Sequence, residues 1–521
     1  MEKSLSQKIV KNTIYNIVGR FWGILVVLVL TPYIIRHIGV ERYGVWAIVG
    51  VLTGYFGLLD FGIGTSFVKY IAEYYAKKDY DKINQVINTG FLFYTIFAFL
   101  IIGLGFIFIN PLLNLFNIPT SLYQEARFVF ILGIIIFSIS NALSPFGAVQ
   151  GGLQRMDISN RINIILSLPN IAGTVFFLEK GYGLPGLIIN NAIILVLICV
   201  VNIIIAHRIL PELRFSPFLF TKEMFKRLFG FGYKLQIAMI SSMISVHIDK
   251  LLISHFLSIG LVTFFQLGSS IVETAKSISV LFLTALIPAF SEIDAKGEKE
   301  KLIDGYLRGT KYLMLIVVPL FSLVIISASQ IMMAWMGVGY EKSGWIIQIL
   351  GIGWFWALLT GMRAVIVQAI AKPEIEMKAG LIAAILNIPL SIIFIIKFGF
   401  VGVAFGTSVA LFFSALYGLL RLHQELRISF VVFIKASYLK IIIPCLCISL
   451  PLYFLVKTFQ GLLFEPSRIT SLLVLIIQSA LFLGIYLKVL SYIKPLDKTD
   501  ITLLFKDKFP VIQRLAMRFS K

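Results

Sequence analysis

Arg20, Asp60, Asp249, Lys250, Glu273, Lys276 and Arg363 stand inside stretches of about twenty residues that carry almost no other charge. An ionisable side chain at that depth in lipid costs at least a few kcal/mol, so it faces a bundle interior or a wet cavity and serves a purpose there. The four cations suit an anionic ligand. The three carboxylates suit coupling or gating. Glu273 and Lys276 are three apart and share a helical face, which Gln266, Ser269 and Ser270 extend into a polar stripe. Such a stripe lines either a polar cavity or a polar partner helix. Plainer alternatives stand beside each reading. Glu273 and Lys276 would also form a structural ion pair, and Arg20 and Asp60, at similar depth, a mutual salt bridge. Arg363, near Thr360 at the end of its run, would snorkel. His247, just before Asp249 and Lys250, reads as a packing residue. No metal-ligand cluster, phosphate-binding Gly-Lys loop or hydrolase triad is visible, so neither an enzyme nor a metal or cofactor site is expected.

The elements that position these residues are membrane helices. The chain has 521 residues, 58% hydrophobic and only 14% charged, against about a quarter charged in a soluble domain. Its apolar residues come in runs of about twenty, long enough to cross the hydrocarbon layer as helices. About fourteen such runs are expected, the first at 12–35 and 44–67, the last at 439–456 and 469–487. With the N-terminus in the cytoplasm, about 34 of the 46 Lys and Arg fall in inner segments and about 8 in outer loops, which places both ends inside. Trp46, Trp335 and Trp345 fall at outer helix ends, as an interfacial belt would. Cys199, Cys445 and Cys447 lie in apolar runs and read as packing residues. The net charge of +20 therefore follows the membrane and implies no nucleic-acid partner. Phe218–Phe229 and Ile501–Phe519 mix aromatic and aliphatic residues with Lys and Arg, as helices on the inner leaflet do.

The chain also repeats itself at an offset of about 218 residues. Glu73, Ala76-Lys77, Asp81-Lys82 and Gly90 match Glu292, Ala295-Lys296, Glu300-Lys301 and Gly309. Leu132-Gly133 and Gln150 match Leu350-Gly351 and Gln368. Each half holds six spans, an even number, so the halves share one orientation and form parallel repeats. The expected fold is all-α: two parallel six-helix lobes around a central cavity, plus two C-terminal helices. The lobes are 1–206 and 235–421, joined by a basic linker at 207–234; spans 13 and 14 occupy 422–490 and a basic tail 491–521. Gly54, Gly57, Gly62 and Gly64 crowd the second span and Pro32 the first, so bending there is a candidate gate, with close helix packing as the alternative. The intramembrane charges do not repeat: Asp60 matches Ser279 and Lys276 matches Gly57, which favours a role with substrate over one in the scaffold.

Tyr43-Gly44-Val45-Trp46, Leu59-Asp60-Phe61-Gly62-Ile63-Gly64-Thr65-Ser66 and Lys69-Tyr70-Ile71-Ala72-Glu73 resemble the second-span signature of Wzx-type polysaccharide flippases. These belong to the multidrug/oligosaccharidyl-lipid/polysaccharide exporter superfamily. Ile248-Asp249-Lys250-Leu251-Leu252-Ile253, followed by Leu257-Ser258-Ile259-Gly260, is similar to that family's seventh span. The resemblance implies a MATE-like fold and a cationic cavity, with Arg20, Lys250, Lys276 and Arg363 lining it and Asp60, Asp249 and Glu273 in coupling or gating. It implies a lipid-linked oligosaccharide as substrate, membrane lipids as partners, and association with polysaccharide polymerase and glycosyltransferases. H+ coupling, Na+ coupling and the membrane potential alone stay open. Two rivals remain: a multidrug/cation antiporter of the same fold, and a membrane-embedded polysaccharide polymerase or ligase. Against the second, the outer loops are short.

Overall fold

The structure is a computed structural model that describes residues 5–57, 63–463, 467–497 and 500. Every element among them is helical, and the chain divides into two compact units, one to Thr263 and one from Phe264. The first contains α1 (Leu5–Phe56), α2 (Ile63–Ala76), α3 (Tyr80–Leu115), α4 (Tyr123–Gly152), α5 (Met156–Glu179), α6 (Gly183–Ile209) and α7 (Lys222–Phe256). α8 (Ile259–Ala295) begins in the first unit and continues in the second. Next come α9 (Lys299–Ile326), α10 (Ala328–Trp335), α11 (Glu341–Leu359), α12 (Met362–Ala369), α13 (Glu374–Phe398), α14 (Phe400–Leu426), α15 (Phe430–Ser437), α16 (Leu439–Leu463) and α17 (Arg468–Ile493).

Twelve helical stretches among the described residues are long and apolar enough to span a membrane. Two of the fourteen expected runs, 12–35 and 44–67, meet in one stretch, because α1 continues through the connection between them. A third, 235–257, lies on α7, outside the twelve. The connection in α1 turns at Gly39, whose φ of 82° is costly for any residue with a Cβ. The Thr263 hydroxyl donates to the Val40 carbonyl at 2.6 Å, satisfying a backbone group that the kink exposes. Gly44 lets this turn lie directly on the start of α8: a Cβ there would sit 2.1 Å from the Ile259 carbonyl oxygen. Residues 58–62 between α1 and α2, which include Asp60 and Gly62 of the glycine-rich stretch, lie outside the described residues.

The internal repeat is visible in local structure. In the α5–α6 hairpin the Asn190 amide donates to the Asn170 side-chain oxygen (2.8 Å) and the Thr174 hydroxyl (3.2 Å). In the α13–α14 hairpin Asn387 donates to Thr407 at 2.8 Å, and Ser391 lies one turn on. Positions 170, 174 and 190 correspond to 387, 391 and 407, a constant 217 residues away. Thr174, Asn190, Asn387, Ser391 and Thr407 are buried, so each clamp ties two apolar helices together at a fixed register. Left-handed residues recur in the same way: Lys78 with Gly297, Gln154 with Ala371, and Gly181 with Gly399, 217 to 219 apart.

In the first unit, Ile63, Phe67, Ile71 and Tyr74 of α2 pack with Val86 of α3, Val149 of α4 and Leu228 of α7. The segment before α7 is read by side chains of α3. Asn84 donates to Glu212 and accepts from Arg214, while Asn88 donates to Arg214 and accepts from Ser216, at 2.7–2.9 Å. The stretch expected as an inner-leaflet helix at 218–229 is therefore no separate element. From Lys222 it is the beginning of α7, with Met224 and Leu228 in the core and Phe218 94% exposed. Its counterpart at 501–519 lies outside the described residues. In the second unit α16 and α17 pack on α9 through Met314, Val318, Cys445, Phe482 and Tyr486. Cys445 is a core residue there, as expected. Asp500, fully buried, ties the chain beyond α17 to α9, accepting from Lys311, Arg308 (2.6 Å) and Tyr312 (2.7 Å).

Candidate functional site

In the first unit α7 carries Asp249 and Lys250, 2% and 7% exposed. The end of that helix is held in place. Ser254 donates to the Phe116 carbonyl at 2.6 Å, and the His255 ring nitrogen lies 2.8 Å from the Leu115 carbonyl. His247 stands edge-on to Tyr55 of α1, ring centroids 6.4 Å apart, which fits its expected packing role. Arg20 is exposed on α1. The helix surface beside it packs on α5, with Gly19 against Asn160 and Trp22 donating to Ser167 at 2.6 Å. Asp60 lies outside the described residues, between α1 and α2.

In the second unit the stripe on α8 largely satisfies itself. The hydroxyls of Ser269, Ser270, Thr274 and Ser277 donate to carbonyls three or four residues back on their own helix, at 2.7–3.1 Å. These bonds are supplied by α8 itself. Two charged groups remain on that face. The Lys276 ammonium lies 2.8 Å and 3.0 Å from the two oxygens of Glu273, so the expected pair forms. The same ammonium sits 3.7 Å from the ring centroid of Trp354 on α11, well inside the range of a cation–π contact. The Lys276 side chain is 20% exposed and that of Glu273 40%. The cation is thus held from two sides, at the end of a partly exposed side chain. Gly268 makes this approach of α8 to α11 possible, because a Cβ there would lie 2.6 Å from the Ser343 carbonyl oxygen.

Arg363 is placed differently. It is 8% exposed on α12, with Nε donating to Glu376 Oε1 (2.6 Å), Nη2 to Glu376 Oε2 (3.2 Å) and Nη1 to the Ala415 carbonyl (2.9 Å). That bidentate fork binds α12 to α13 and α14. It does not snorkel, and each of its three nitrogens donates to protein. Glu376 is absent from the sequence-derived set, because it follows Pro373 where a connecting loop is expected. Trp354 is absent because a tryptophan in an apolar run carries no signal of a cation beside it.

Each unit also holds a largely apolar cavity at equivalent positions. One, about 330 Å³, lies between α1, α4 and α6 and is lined by Trp46, Thr53, Ser140, Ile188 and Asn191. The other, about 380 Å³, lies between α11 and α14 and is lined by Gly353, Trp356, Phe405, Ser408 and Phe412. Asn191 and Ser408 correspond across the repeat, as do Ile188 and Phe405. Neither cavity has a charged residue in its lining, so neither is built for an anionic group. No group of His, Cys, Asp and Glu fit to hold a metal occurs among the described residues.

Residues 9–294 match the family described as polysaccharide biosynthesis protein. The chain belongs to that family. Within and around it, the chain is 23% identical over 414 residues to a Shigella flexneri protein named "Putative O-antigen transporter", covering 78% of this chain and 96% of the relative. It is 23% identical over 509 residues to the Haloferax volcanii "Probable low-salt glycan biosynthesis flippase Agl15", covering 96% of each. Among solved structures, lipid II flippase MurJ in an inward closed conformation superposes with a TM-score of 0.68 at 17% identity, over 92% of this chain and 99% of that one. An inward-facing multidrug resistance MATE family transporter gives 0.66 at 15% identity, over 82% and 96%. The fold of this polysaccharide biosynthesis family member is therefore MATE-like and all-helical, and the protein is multi-pass in a membrane.

Proposed function

We propose that this protein is a flippase that carries the head of a polyprenyl-pyrophosphate-linked oligosaccharide from the cytoplasmic to the outer leaflet by alternating access, for cell-surface polysaccharide synthesis. The observation that carries the reading is Lys276, an ammonium held on a membrane-spanning helix by Glu273 and Trp354, its side chain still partly exposed. The family, and the O-antigen transporter and glycan flippase among the relatives, support it. The lipid tail stays in the bilayer, while the anionic head meets Lys276, Lys250 and Arg20. Lys250 is buried in this structure, so its contact with a head group belongs to a state in which α7 has moved. Asp60, Asp249 and Glu273 remain the groups for coupling to H+ or Na+. Arg363 holds α12 in place and serves the site through that packing. Both termini face the cytoplasm of the plasma membrane, and polymerase and glycosyltransferases act on the same lipid. Metal and cofactor are not part of the mechanism.

The head carries about two negative charges and leaves the negative side of the membrane. Its outward transfer is downhill by about 2.3 kcal/mol per charge per 100 mV if the protein's charges stay behind. The potential alone is then a sufficient driving force. The test is outward transfer of a labelled polyprenyl-pyrophosphate oligosaccharide in reconstituted vesicles. Lys276→Ala is expected to slow it at least tenfold; an unchanged rate would remove Lys276 from the head-group site.

A further inference from the structure

We infer that Trp354 is a positioning residue for the head group, holding the Lys276 ammonium in place while Glu273 competes with the substrate phosphate for it. The inference rests on the proposed reading of Lys276. An ammonium has three N–H donors and no acceptor. Here the Glu273 carboxylate takes one side, with contacts at 2.8 Å and 3.0 Å, and the Trp354 ring takes another at 3.7 Å. The side chain is still 20% exposed. The two supports differ in kind. Glu273 is an anion and repels an arriving pyrophosphate. Trp354 is neutral, attracts the cation through its ring face, and repels nothing. A lysine held only by Glu273 would lose its hold whenever the head group displaced that carboxylate. A lysine also held by Trp354 stays in place. Glu273, twice as exposed as Lys276 and only three residues away, has room to move aside and return. Its return supplies the competing anion that lets the head group leave. Rapid exchange needs both partners, one to keep the cation placed and one to keep binding weak.

The two partners therefore have opposite signs in a binding experiment. The probe is undecaprenyl pyrophosphate, titrated onto the purified full chain in nanodiscs, with undecaprenol as the uncharged control. Replacing Trp354 by Phe, Tyr or Leu is expected to weaken pyrophosphate binding in a graded way, least for the aromatic variants. The loss for Trp354→Leu should be about 2- to 30-fold, the range from an exposed to a desolvated cation–π contact. Undecaprenol binding should not change. Glu273→Gln is expected to tighten pyrophosphate binding and slow its release. In a Lys276→Ala background, Trp354→Leu should cost nothing further. If Trp354→Leu weakens binding equally with and without Lys276, the tryptophan only supports the fold and the inference is overturned. Weaker binding by Glu273→Gln overturns the competition. If Lys276→Ala itself leaves pyrophosphate binding intact, the head-group role of Lys276 fails; a Lys276 effect without a Trp354 effect sinks only this inference.

Discussion

Arg363 and Lys276 are both membrane-embedded cations, and their surroundings separate them. All three nitrogens of the Arg363 guanidinium donate to protein oxygens, from Glu376 and Ala415. Arg363→Ala would leave the Glu376 carboxylate without its partner. Breaking a buried pair this way costs about 3–5 kcal/mol, and the one-third exposure of Glu376 brings the expected loss to about 2–3 kcal/mol. Lys should not rescue it, because an ammonium cannot reproduce the planar two-nitrogen grip. Thermal unfolding in detergent checks this: both variants should melt earlier, and a melting point unchanged by Arg363→Ala would contradict the packing role. At this scale the sequence is informative about charges, which are rare enough in lipid to stand out. It is silent about Trp354, an apolar residue in an apolar run, and about Glu376, whose place in the first turn of α13 looks like a connection. Only the packing of α8 on α11, and of α12 on α13, brings them to their cations.

The helices follow from apolar run length, and their joints follow from particular residues. Gly39 turns α1, the Asn84 and Asn88 amides fix the segment before α7, and the paired clamps at 170/190 and 387/407 set the hairpins. The sequence-derived repeat catches glycines and acid–lysine pairs at helix ends. It misses these clamps: Asn170 is matched by Asn387, but Asn190 is replaced by Thr407, so the donor moves from α6 in the first hairpin to α13 in the second. The joint beyond α17 has a pH dependence of known sign. Burial raises the Asp500 pKa, but the bonds from Lys311, the Asp497 backbone, Tyr312 and Arg308 outweigh it and hold the carboxyl at about 2, below the ordinary 3.8. A folded-state pKa below the unfolded one gives stability that is present above pH 3.8 and lost as pH falls toward 2. Melting temperature should therefore drop between pH 5 and pH 2.5, and drop less in Asp500→Asn. That variant should already be less stable at pH 7, where Arg308 and Lys311 lose their shared partner. Equal pH dependence in wild type and Asp500→Asn would show that this joint contributes nothing.

At the scale of the molecule, two halves with matching hairpins, cavities and left-handed caps carry unmatched charges. Lys276 has no counterpart cation in the first half, where the corresponding residue is Gly57. Scaffold features recur because both halves solve the same packing problem. A feature serving one asymmetric substrate has no reason to. The overall architecture is legible in the sequence because hydrophobic length and charge bias are enforced everywhere by the bilayer. Where α1 joins two spans into one stretch, the count is less legible than the class. The activity proposed for the whole molecule is outward movement of an anionic lipid head. Its most direct test is the initial rate at which a labelled polyprenyl-pyrophosphate oligosaccharide becomes exposed on the outside of vesicles containing this protein, with and without an inside-negative potential. Exposure is expected to be at least tenfold faster than in protein-free vesicles, accelerated by the potential and lost for the uncharged polyprenol-linked sugar. Exposure no faster than without protein, in vesicles that still export a cationic dye, would contradict it.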